Sequence, residues 1–273
     1  MTQRIVTGLL LVLLFVILVW LPGWVFALAA LIASGFAVWE EYHALVTAGH
    51  RPVSWPTWIA LIASVPMTIA FGPKVMVPLI GAALLLMAIE IIFREEPKLI
   101  DMSLSALPLL TVLLPGLCLV SMSLVDQKAV KVIWLTLTFG VPLVGDVFAL
   151  LVGTKVGGRK LCPGVSPNKT VAGAIGGLVG SLIASALICA AAAITCDAPT
   201  LAKLPVLWQY LLLGLFGGVV GQVGDLFASM VKRHSGIKDF SDLFPGHGGM
   251  LDRLDSVFFM AVLMYCFLLF FRA

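Results

Sequence analysis

Long apolar stretches, separated by short polar segments, run along almost the whole chain. Several of them reach the length of about 18–20 residues that an α-helix needs to cross about 30 Å of hydrocarbon. The pattern therefore predicts an all-α fold: a polytopic integral membrane protein with about nine transmembrane helices. The predicted spans are residues 4–20, 23–45, 56–72, 75–93, 102–122, 131–152, 170–195, 205–228 and 254–271.

The first two predicted spans are divided only by the segment Leu21-Pro22-Gly23-Trp24. Proline and glycine favour a tight turn there, but the segment is short enough for residues 4–39 to form either two spans or one. The apolar character continues to about residue 39, beyond the short hydrophobic core of a secretory signal peptide. We therefore expect this segment to remain uncleaved.

The composition is that of a membrane protein. Hydrophobic residues make up 61% of the 273 residues and charged residues 11%, whereas about 25% of a soluble domain is charged. We expect a single membrane domain over residues 1–273, with N-terminal spans in residues 1–130 and the later spans and polar loops in residues 131–273. No nucleic-acid partner is expected.

The distribution of lysine and arginine predicts which loops face the cytoplasm, because cytoplasmic loops carry an excess of these residues. With nine spans and the N-terminus in the cytoplasm, twelve of the 17 basic residues lie on the cytoplasmic side, including Arg4, and five on the other, including Arg272. If the first two spans were one, only the N-terminus would change sides. The two polar loops, residues 155–169 and 232–253, then face the compartment that contains nucleotides.

The end of the eighth predicted span carries a carboxylate, Asp225, in an otherwise apolar segment. An ionised carboxylate in such a segment is costly unless it is paired or hydrated. Ser229 and Lys232 follow at four and seven residues, so the three side chains share one helical face. Two interpretations remain: an ion pair between Asp225 and Lys232, or a carboxylate that faces a hydrated pocket and binds a cation.

A glycine-rich turn precedes the last predicted span, and Asp252 and Asp255 follow it on one helical face. The helix dipole favours carboxylates at this end, but two acids also suit Mg²⁺, which binds one or two carboxylates together with substrate phosphates. Gly248 and Gly249 lack side chains and allow backbone N–H groups to point at an anion. Four cations can supply the positive charge that a triphosphate requires: Lys232, Arg233, Lys238 and Arg253.

A third polar segment runs from Asp146 to the sequence Ser166-Pro-Asn-Lys169-Thr170. Thr170 is a predicted N-cap of the seventh span, and Lys169 beside this helix start can contact a phosphate. Taken alone, the segment is equally typical of a basic surface loop that binds anionic lipid.

Several other polar residues have two interpretations each. His247 can carry protons or be a turn histidine bonded to the backbone. Glu40, Glu41 and Glu90 are interpreted as interfacial charges at helix ends, with a role in substrate binding as the alternative. Glycines four residues apart in the seventh and eighth spans predict close helix packing; the pairs are Gly173/Gly177, Gly176/Gly180, Gly214/Gly218 and Gly217/Gly221.

Residues 229–255 resemble the full signature of the phosphatidate cytidylyltransferase family, also called CDP-diacylglycerol synthases. The matching pattern is Ser229-x-x-Lys232-Arg233-x4-Lys238-Asp239, followed by Pro245-x-His247-Gly248-Gly249-x-x-Asp252-Arg253-x-Asp255. The segment with Asp146 and Ser166-Pro-x-Lys169-Thr170 resembles the family's second landmark, although many members have an acidic or amide residue where this chain has Ala172.

The resemblance implies an enzyme that joins CTP and phosphatidic acid into CDP-diacylglycerol and pyrophosphate. It also implies Mg²⁺, a second monovalent cation such as K⁺, and a homodimer in the inner (cytoplasmic) membrane whose active site faces the cytoplasm. The implied catalytic residues are Asp225, Lys232, Arg233, Asp252, Arg253 and Asp255, of which Asp225 and Asp252 would bind the metal. The implied substrate-binding residues are Asp146, Ser166, Lys169, Thr170, Ser229, Lys238, Asp239, His247, Gly248 and Gly249.

Two other functions compete with this hypothesis. Asp146 and Asp225 within apolar segments can form the ion path of a transporter, although transporter sites lie near the membrane midplane, often within repeats. Here the polar groups gather at one predicted face, and no internal repeat is visible. The second alternative is a related enzyme that acts on a polyprenol or an archaeal ether lipid.

Overall fold

Helices dominate the computed structural model, which describes residues 2–272 and, for side chains, residues 7–270. The helices are α1 Thr2–Trp20, α2 Gly23–Thr47, α3 Trp55–Phe71, α4 Met76–Ile92, α5 Leu99–Pro108, α6 Leu114–Ser123, α7 Lys128–Val156, α8 Val171–Thr195, α9 Ala198–Leu201, α10 Leu207–His234 and α11 Leu251–Arg272. A 3₁₀ turn, Pro73–Val75, precedes α4. Within residues 2–272, the strands are β1 (Lys160–Cys162) and β2 (Ser166–Thr170), which pair as an antiparallel hairpin. The all-α prediction is confirmed.

Among the residues that the structure describes, seven helical stretches are long and apolar enough to cross a membrane, and the chain is therefore an integral membrane protein. They are Gly23–Thr47, Pro73–Ile92, Leu99–Ser123, Lys128–Val156, Val171–Thr195, Leu207–His234 and Leu251–Phe270. Helix α1 (Thr2–Trp20) and the shorter α3 (Trp55–Phe71) are also apolar and coincide with the first and third predicted spans. Each predicted span thus corresponds to an apolar helix, but the number of nine membrane crossings stays a prediction.

Pro22 separates the first two helices. Its backbone is extended, with ψ at 145°, and α2 begins at the next residue, Gly23. A Cβ on Gly23 would collide with the backbone carbonyl of Ser123, so this close approach requires glycine. Residues 4–39, for which the sequence left one or two segments open, therefore form two helices.

The fifth predicted span is one continuous helical run from Leu99 to Ser123, interrupted by a π-helical segment at Leu109–Leu113. Pro108 precedes this segment and Pro115 follows it. Because proline lacks a backbone N–H and its ring clashes with the carbonyl four residues earlier, the normal α-helical bonds cannot form here, and the chain widens into a π turn.

The chain divides into two compact units, which are described separately. Unit 1 comprises Met1–Leu124 and Val231–Leu254; unit 2 comprises Val125–Met230 and Asp255–Ala273. In unit 1, α2 packs against α3 and α6, and α3 packs against α4. The single domain and its division at residue 130 stay predictions. The side chains of Arg4 and Arg272, which entered the charge balance, lie outside the described residues.

In unit 2, α7 packs along α8, and glycines allow the backbones to approach closely. A Cβ on Gly173 would lie 2.8 Å from the carbonyl oxygen of Ala149 in α7. A Cβ on Gly217 in α10 would lie 2.7 Å from the Sδ of Met260 in α11. Both distances are too short for a side chain, which confirms the predicted packing role of these glycines.

Candidate active site

The β-hairpin of unit 2 presents Lys169 at the start of α8. Ser166 and Lys169 lie on β2, which the sequence had placed in an irregular loop. Thr170 ends the strand and caps the helix, because its Oγ1 accepts a hydrogen bond from the backbone N–H of Gly173 at 3.0 Å. The predicted N-cap is confirmed, and it fixes the direction in which Lys169 leaves the hairpin.

Lys169 forms an ion pair with Asp225 of α10. Each of the two side chains is 28% exposed. The hairpin thus contributes the lysine that pairs with Asp225, so the first of the two interpretations, an ion pair between Asp225 and Lys232, is wrong. The ion pair uses Oδ2 of Asp225; within the described residues the other carboxylate oxygen has no hydrogen-bond partner. Asp225 therefore retains an oxygen that a cation can bind.

Two further acids of unit 2 are linked by a serine that the sequence interpretation missed. The hydroxyl group of Ser256 lies 3.4 Å from Oδ2 of Asp146 and 3.3 Å from Oδ1 of Asp255. The backbone N–H of Ser256 also donates to Asp255 at 2.7 Å. Gly224, which precedes Asp225, packs so closely that its Cβ would lie 2.6 Å from the carbonyl oxygen of Asp255. Helices α7, α10 and α11 therefore bring three acid-bearing positions to one region of unit 2.

Unit 1 contains a second lysine–aspartate pair, which is more deeply buried. Lys232 Nζ lies 2.5 Å from Oδ1 of Asp252, and the two side chains are 11% and 2% exposed. Oδ2 of Asp252 accepts two further hydrogen bonds, each 2.9 Å long, from the backbone N–H groups of Phe240 and Gly249. Asp252 therefore holds the loop between α10 and α11 against the start of α11.

A tight turn aims the glycines of this loop at Asp252. His247 N–H donates to the carbonyl of Phe244 at 2.8 Å across Pro245 and Gly246, a sequence that favours a type II turn. Gly248 follows with a φ of +78°, and a Cβ there would lie 2.7 Å from Oδ2 of Asp252. Only glycine combines this φ with this contact.

The sequence predicted that backbone N–H groups at Gly248 and Gly249 can point at an anion. Three N–H groups at and after this turn point at carboxylates. In the structure the carboxylates belong to the protein itself: Gly249 donates to Asp252, and Met250 and Leu251 donate to Glu40. His247 lies beside them, and its Nδ1 is buried with no hydrogen-bond partner among the described residues.

The remaining candidates are divided between exposed and buried positions. Arg233, Lys238, Asp239 and Arg253 are exposed, whereas Ser229 is buried. Nη1 of Arg233 donates to the carbonyl of Ile237 at 3.2 Å. The exposed residues can reach a ligand in solution, but their roles stay predictions.

Glu40 and Glu41 correct the sequence interpretation. Both were expected to be interfacial charges, but each is only 1% exposed within unit 1. Glu41 accepts a hydrogen bond of 2.7 Å from the hydroxyl group of Thr111. The signal that could have revealed them is their position inside the predicted span 23–45, where an ionisable residue suggests a function. Glu90, by contrast, is partly exposed and bonds to Trp55 and Arg94, as expected for an interfacial charge.

The carboxylates differ in how well they suit a divalent cation. Among the described residues, no group of three or more histidine, cysteine, aspartate or glutamate side chains is arranged to hold a metal ion. Aspartate oxygens are the ligand type that Mg²⁺ prefers, and Asp225 has an oxygen to offer. Both oxygens of Asp252 are occupied by protein donors, so Lys232 must move before Asp252 can bind a cation.

The chain matches a family model over nearly its whole length and individual known proteins over 44–50% of it. The family model described as "Cytidylyltransferase family" matches residues 2–271. A phosphatidate cytidylyltransferase of Bacillus subtilis (strain 168) is 44% identical over 121 residues, which are 44% of this chain and 41% of that protein. The phosphatidate cytidylyltransferase of Brucella abortus biovar 1 (strain 9-941) is 41% identical over 122 residues, 45% of this chain and 42% of that protein. That of Staphylococcus haemolyticus (strain JCSC1435) is 38% identical over 136 residues, 50% of this chain and 45% of that protein. The match therefore spans less than half the length of each of these curated relatives.

Proposed function

Because the chain belongs to the cytidylyltransferase family, we propose that it is a membrane enzyme that joins CTP and phosphatidic acid to give CDP-diacylglycerol and pyrophosphate. The names of the relatives support this choice of substrates. The observation in the structure that carries the proposal is the presence of two lysine–aspartate pairs, Lys169–Asp225 and Lys232–Asp252. Such pairs offer cations for phosphates and carboxylates for a metal ion.

The proposed reaction needs electrostatic help more than a base. An oxygen of the phosphatidate phosphate attacks the α-phosphorus of CTP, a new P–O bond forms, and the bond to the bridging oxygen breaks. Pyrophosphate leaves with the electron pair of that bond. The phosphate of phosphatidic acid is already an anionic nucleophile near neutral pH, so the barrier is mainly the repulsion between two polyanions and the charge that develops on the leaving group. Positioned cations lower both contributions.

We propose that Lys169 and Lys232 exchange partners when the substrates bind. In the structure each lysine is neutralised by an aspartate, which makes its partial burial possible. An arriving phosphate offers each lysine an alternative anionic partner for a charge-assisted hydrogen bond. The exposed cations Arg233, Lys238 and Arg253 attract the same anions from the cytoplasmic side.

The aspartates released in this exchange are the proposed ligands of Mg²⁺. Asp225 would offer Mg²⁺ the oxygen that has no hydrogen-bond partner among the described residues, and Asp252 would offer an oxygen of its own after the departure of Lys232. Mg²⁺, when bound, neutralises charge on the phosphates and on the leaving pyrophosphate. The same proposal includes a second cation, which is monovalent, such as K⁺. Asp146 and Asp255, which Ser256 links, are the acids proposed to bind it.

We base the proposed location of the enzyme on how its lysine and arginine residues are distributed between the two sides of the membrane. Twelve of 17 basic residues fall on one side of the predicted topology, so the polar loops and the site are placed on the cytoplasmic face of the inner membrane. CTP then reaches the site from the cytoplasm and phosphatidic acid from the bilayer. A homodimer is part of this proposal.

One assay separates the proposed function from its rivals. The purified protein is incubated in lipid vesicles with labelled CTP, Mg²⁺ and phosphatidic acid, and lipid-bound label is measured. Parallel reactions replace phosphatidic acid by a polyprenyl phosphate or an archaeal ether-lipid phosphate, and a chelator removes the metal. We expect metal-dependent label in CDP-diacylglycerol with phosphatidic acid. Label only with another lipid, or ion transport without turnover, would contradict the proposal.

A further inference from the structure

Glu40 of α2 is a buried carboxylate that contacts the start of α11. It is 1% exposed, and burial of a charge inside a membrane protein is costly unless hydrogen bonds compensate for it. Three donors do so: the backbone N–H of Met250 at 2.9 Å, the backbone N–H of Leu251 at 2.7 Å and the hydroxyl group of Ser241 at 2.5 Å. All three belong to the loop between α10 and α11 or to the first residue of α11.

These contacts compensate for the unpaired end of a helix. The first N–H groups of an α-helix have no partner within the helix, and the helix dipole makes this end positive. Glu40 provides the missing acceptors at Met250 and Leu251 from more than two hundred residues away in the chain. The carboxylate therefore sets the position at which α11 begins, one residue before Asp252.

Gly249 shows how tightly the carboxylate and the turn fit together. A Cβ on Gly249 would lie 2.6 Å from the Cδ of Glu40 and would overlap its carboxylate oxygens. On its other side, the N–H of Gly249 donates to Asp252 at 2.9 Å. The backbone of residues 249–251 is thus held between two carboxylates.

We propose that Glu40 is a positioning residue of the transferase: it holds the backbone of residues 249–251 in the place where Asp252 and Lys232 face the substrates. The inference rests on the proposed function, because it assigns Glu40 to the same site. Glu40 touches neither the metal nor the phosphates in this scheme. Its neighbour Glu41 is equally buried but bonds to Thr111 instead, and so provides a matched control.

The first test compares Glu40→Gln with Glu41→Gln. Glutamine at position 40 presents an N–H₂ group to one of the two backbone N–H groups, so one acceptor is lost. We expect kcat to fall about 10- to 100-fold, as a small displacement of catalytic groups produces, while KM for CTP stays close to the wild-type value. Hydrogen exchange of the Met250 and Leu251 amides should become faster. Glu41→Gln should leave both the exchange and kcat near wild type. An unchanged kcat for Glu40→Gln would overturn the proposal.

The second test works even if Glu40→Gln folds poorly. Gly249→Ala places a methyl group against the carboxylate, and Glu40→Asp withdraws that carboxylate by one methylene group. If the two residues hold each other in place, the double variant will turn over faster than Gly249→Ala alone. Independent, multiplicative losses would show that the contact does not matter for turnover.

The two proposals fail in different ways. If the wild-type protein makes no CDP-diacylglycerol, the proposed function is wrong, while faster amide exchange in Glu40→Gln still tests the contact. If the wild-type protein is active and both the exchange and the turnover of Glu40→Gln are normal, only the positioning role is wrong.

Discussion

The two lysine–aspartate pairs differ in how completely the protein encloses them. In unit 1, the side chains of Lys232 and Asp252 are 11% and 2% exposed, and three donors occupy the carboxylate. In unit 2, Lys169 and Asp225 are each 28% exposed, and one carboxylate oxygen remains open. The same chemical pair can therefore fasten a loop in one place and remain accessible to a ligand in another. The surroundings decide which role dominates.

We expect Asp252→Asn to have the largest effect on stability and turnover together. It leaves the buried charge of Lys232 without its partner, which typically costs about 3–5 kcal/mol of unfolding free energy. Turnover should also fall at least ~10²-fold, as for other losses at electrostatic sites. Denaturant unfolding in detergent and the CTP assay measure the two effects. Asp242→Asn, an exposed residue of the same loop, is the control. An Asp252→Asn protein as stable as the control would contradict the fastening role of this pair.

Asp225→Asn should separate activity from stability. Because the Lys169–Asp225 pair is partly exposed, its loss should change the unfolding free energy by no more than about 1 kcal/mol. Turnover should nevertheless fall at least ~10²-fold, because asparagine lacks the negative charge and one of the two oxygens that the proposed metal ligand needs. Exposed Asp126 in the same unit provides the control variant Asp126→Asn. Near-normal turnover across Mg²⁺ concentrations would refute the assignment of Asp225 as a metal ligand.

Gly248→Ala should lower stability and turnover less than the two aspartate variants do. A matched glycine variant in unit 2 shows how much of the loss comes from the contact with Asp252. Alanine at a φ of +78° is strained by about 1–2 kcal/mol, and its Cβ would also press on Asp252. Gly158 in unit 2 has a φ of +90° with nothing within 4 Å of an added Cβ, so Gly158→Ala measures the backbone strain alone. We expect Gly248→Ala to be the less stable of the two and to turn over more slowly than the wild type. Equal stability and equal turnover would show that the contact with Asp252 is unimportant.

The sequence predicts those features that depend on neighbouring residues. The apolar runs predict the helices because each run has to satisfy its own backbone in the membrane. Thr170 was recognised as an N-cap because a capping side chain bonds two or three residues ahead, and the structure places its Oγ1 on Gly173 N–H. The number of membrane crossings does not follow from the apolar runs alone, because α3 (Trp55–Phe71), with 17 residues, is shorter than the about 20 residues of a typical span.

Partners that are distant in the chain could not be predicted in this way. Helical spacing left an ion pair between Asp225 and Lys232 open as one of two interpretations, but the fold pairs Asp225 with Lys169 and Lys232 with Asp252. The position of Glu40 inside a predicted span suggests a function, but its donors lie about two hundred residues later in the chain, so the sequence does not identify them. Periodicity describes one helix at a time, whereas ion pairs between elements depend on how those elements pack.

The most direct test of the account is an experimental structure with Mg²⁺ and a CTP analogue that cannot release pyrophosphate. We expect Lys169 and Lys232 to bond to phosphate oxygens, and an oxygen of Asp225 and an oxygen of Asp252 each to lie about 2.0–2.1 Å from a Mg²⁺ ion. If the nucleotide binds while both lysines stay on their aspartates and neither aspartate touches the metal, the proposed exchange of partners is contradicted.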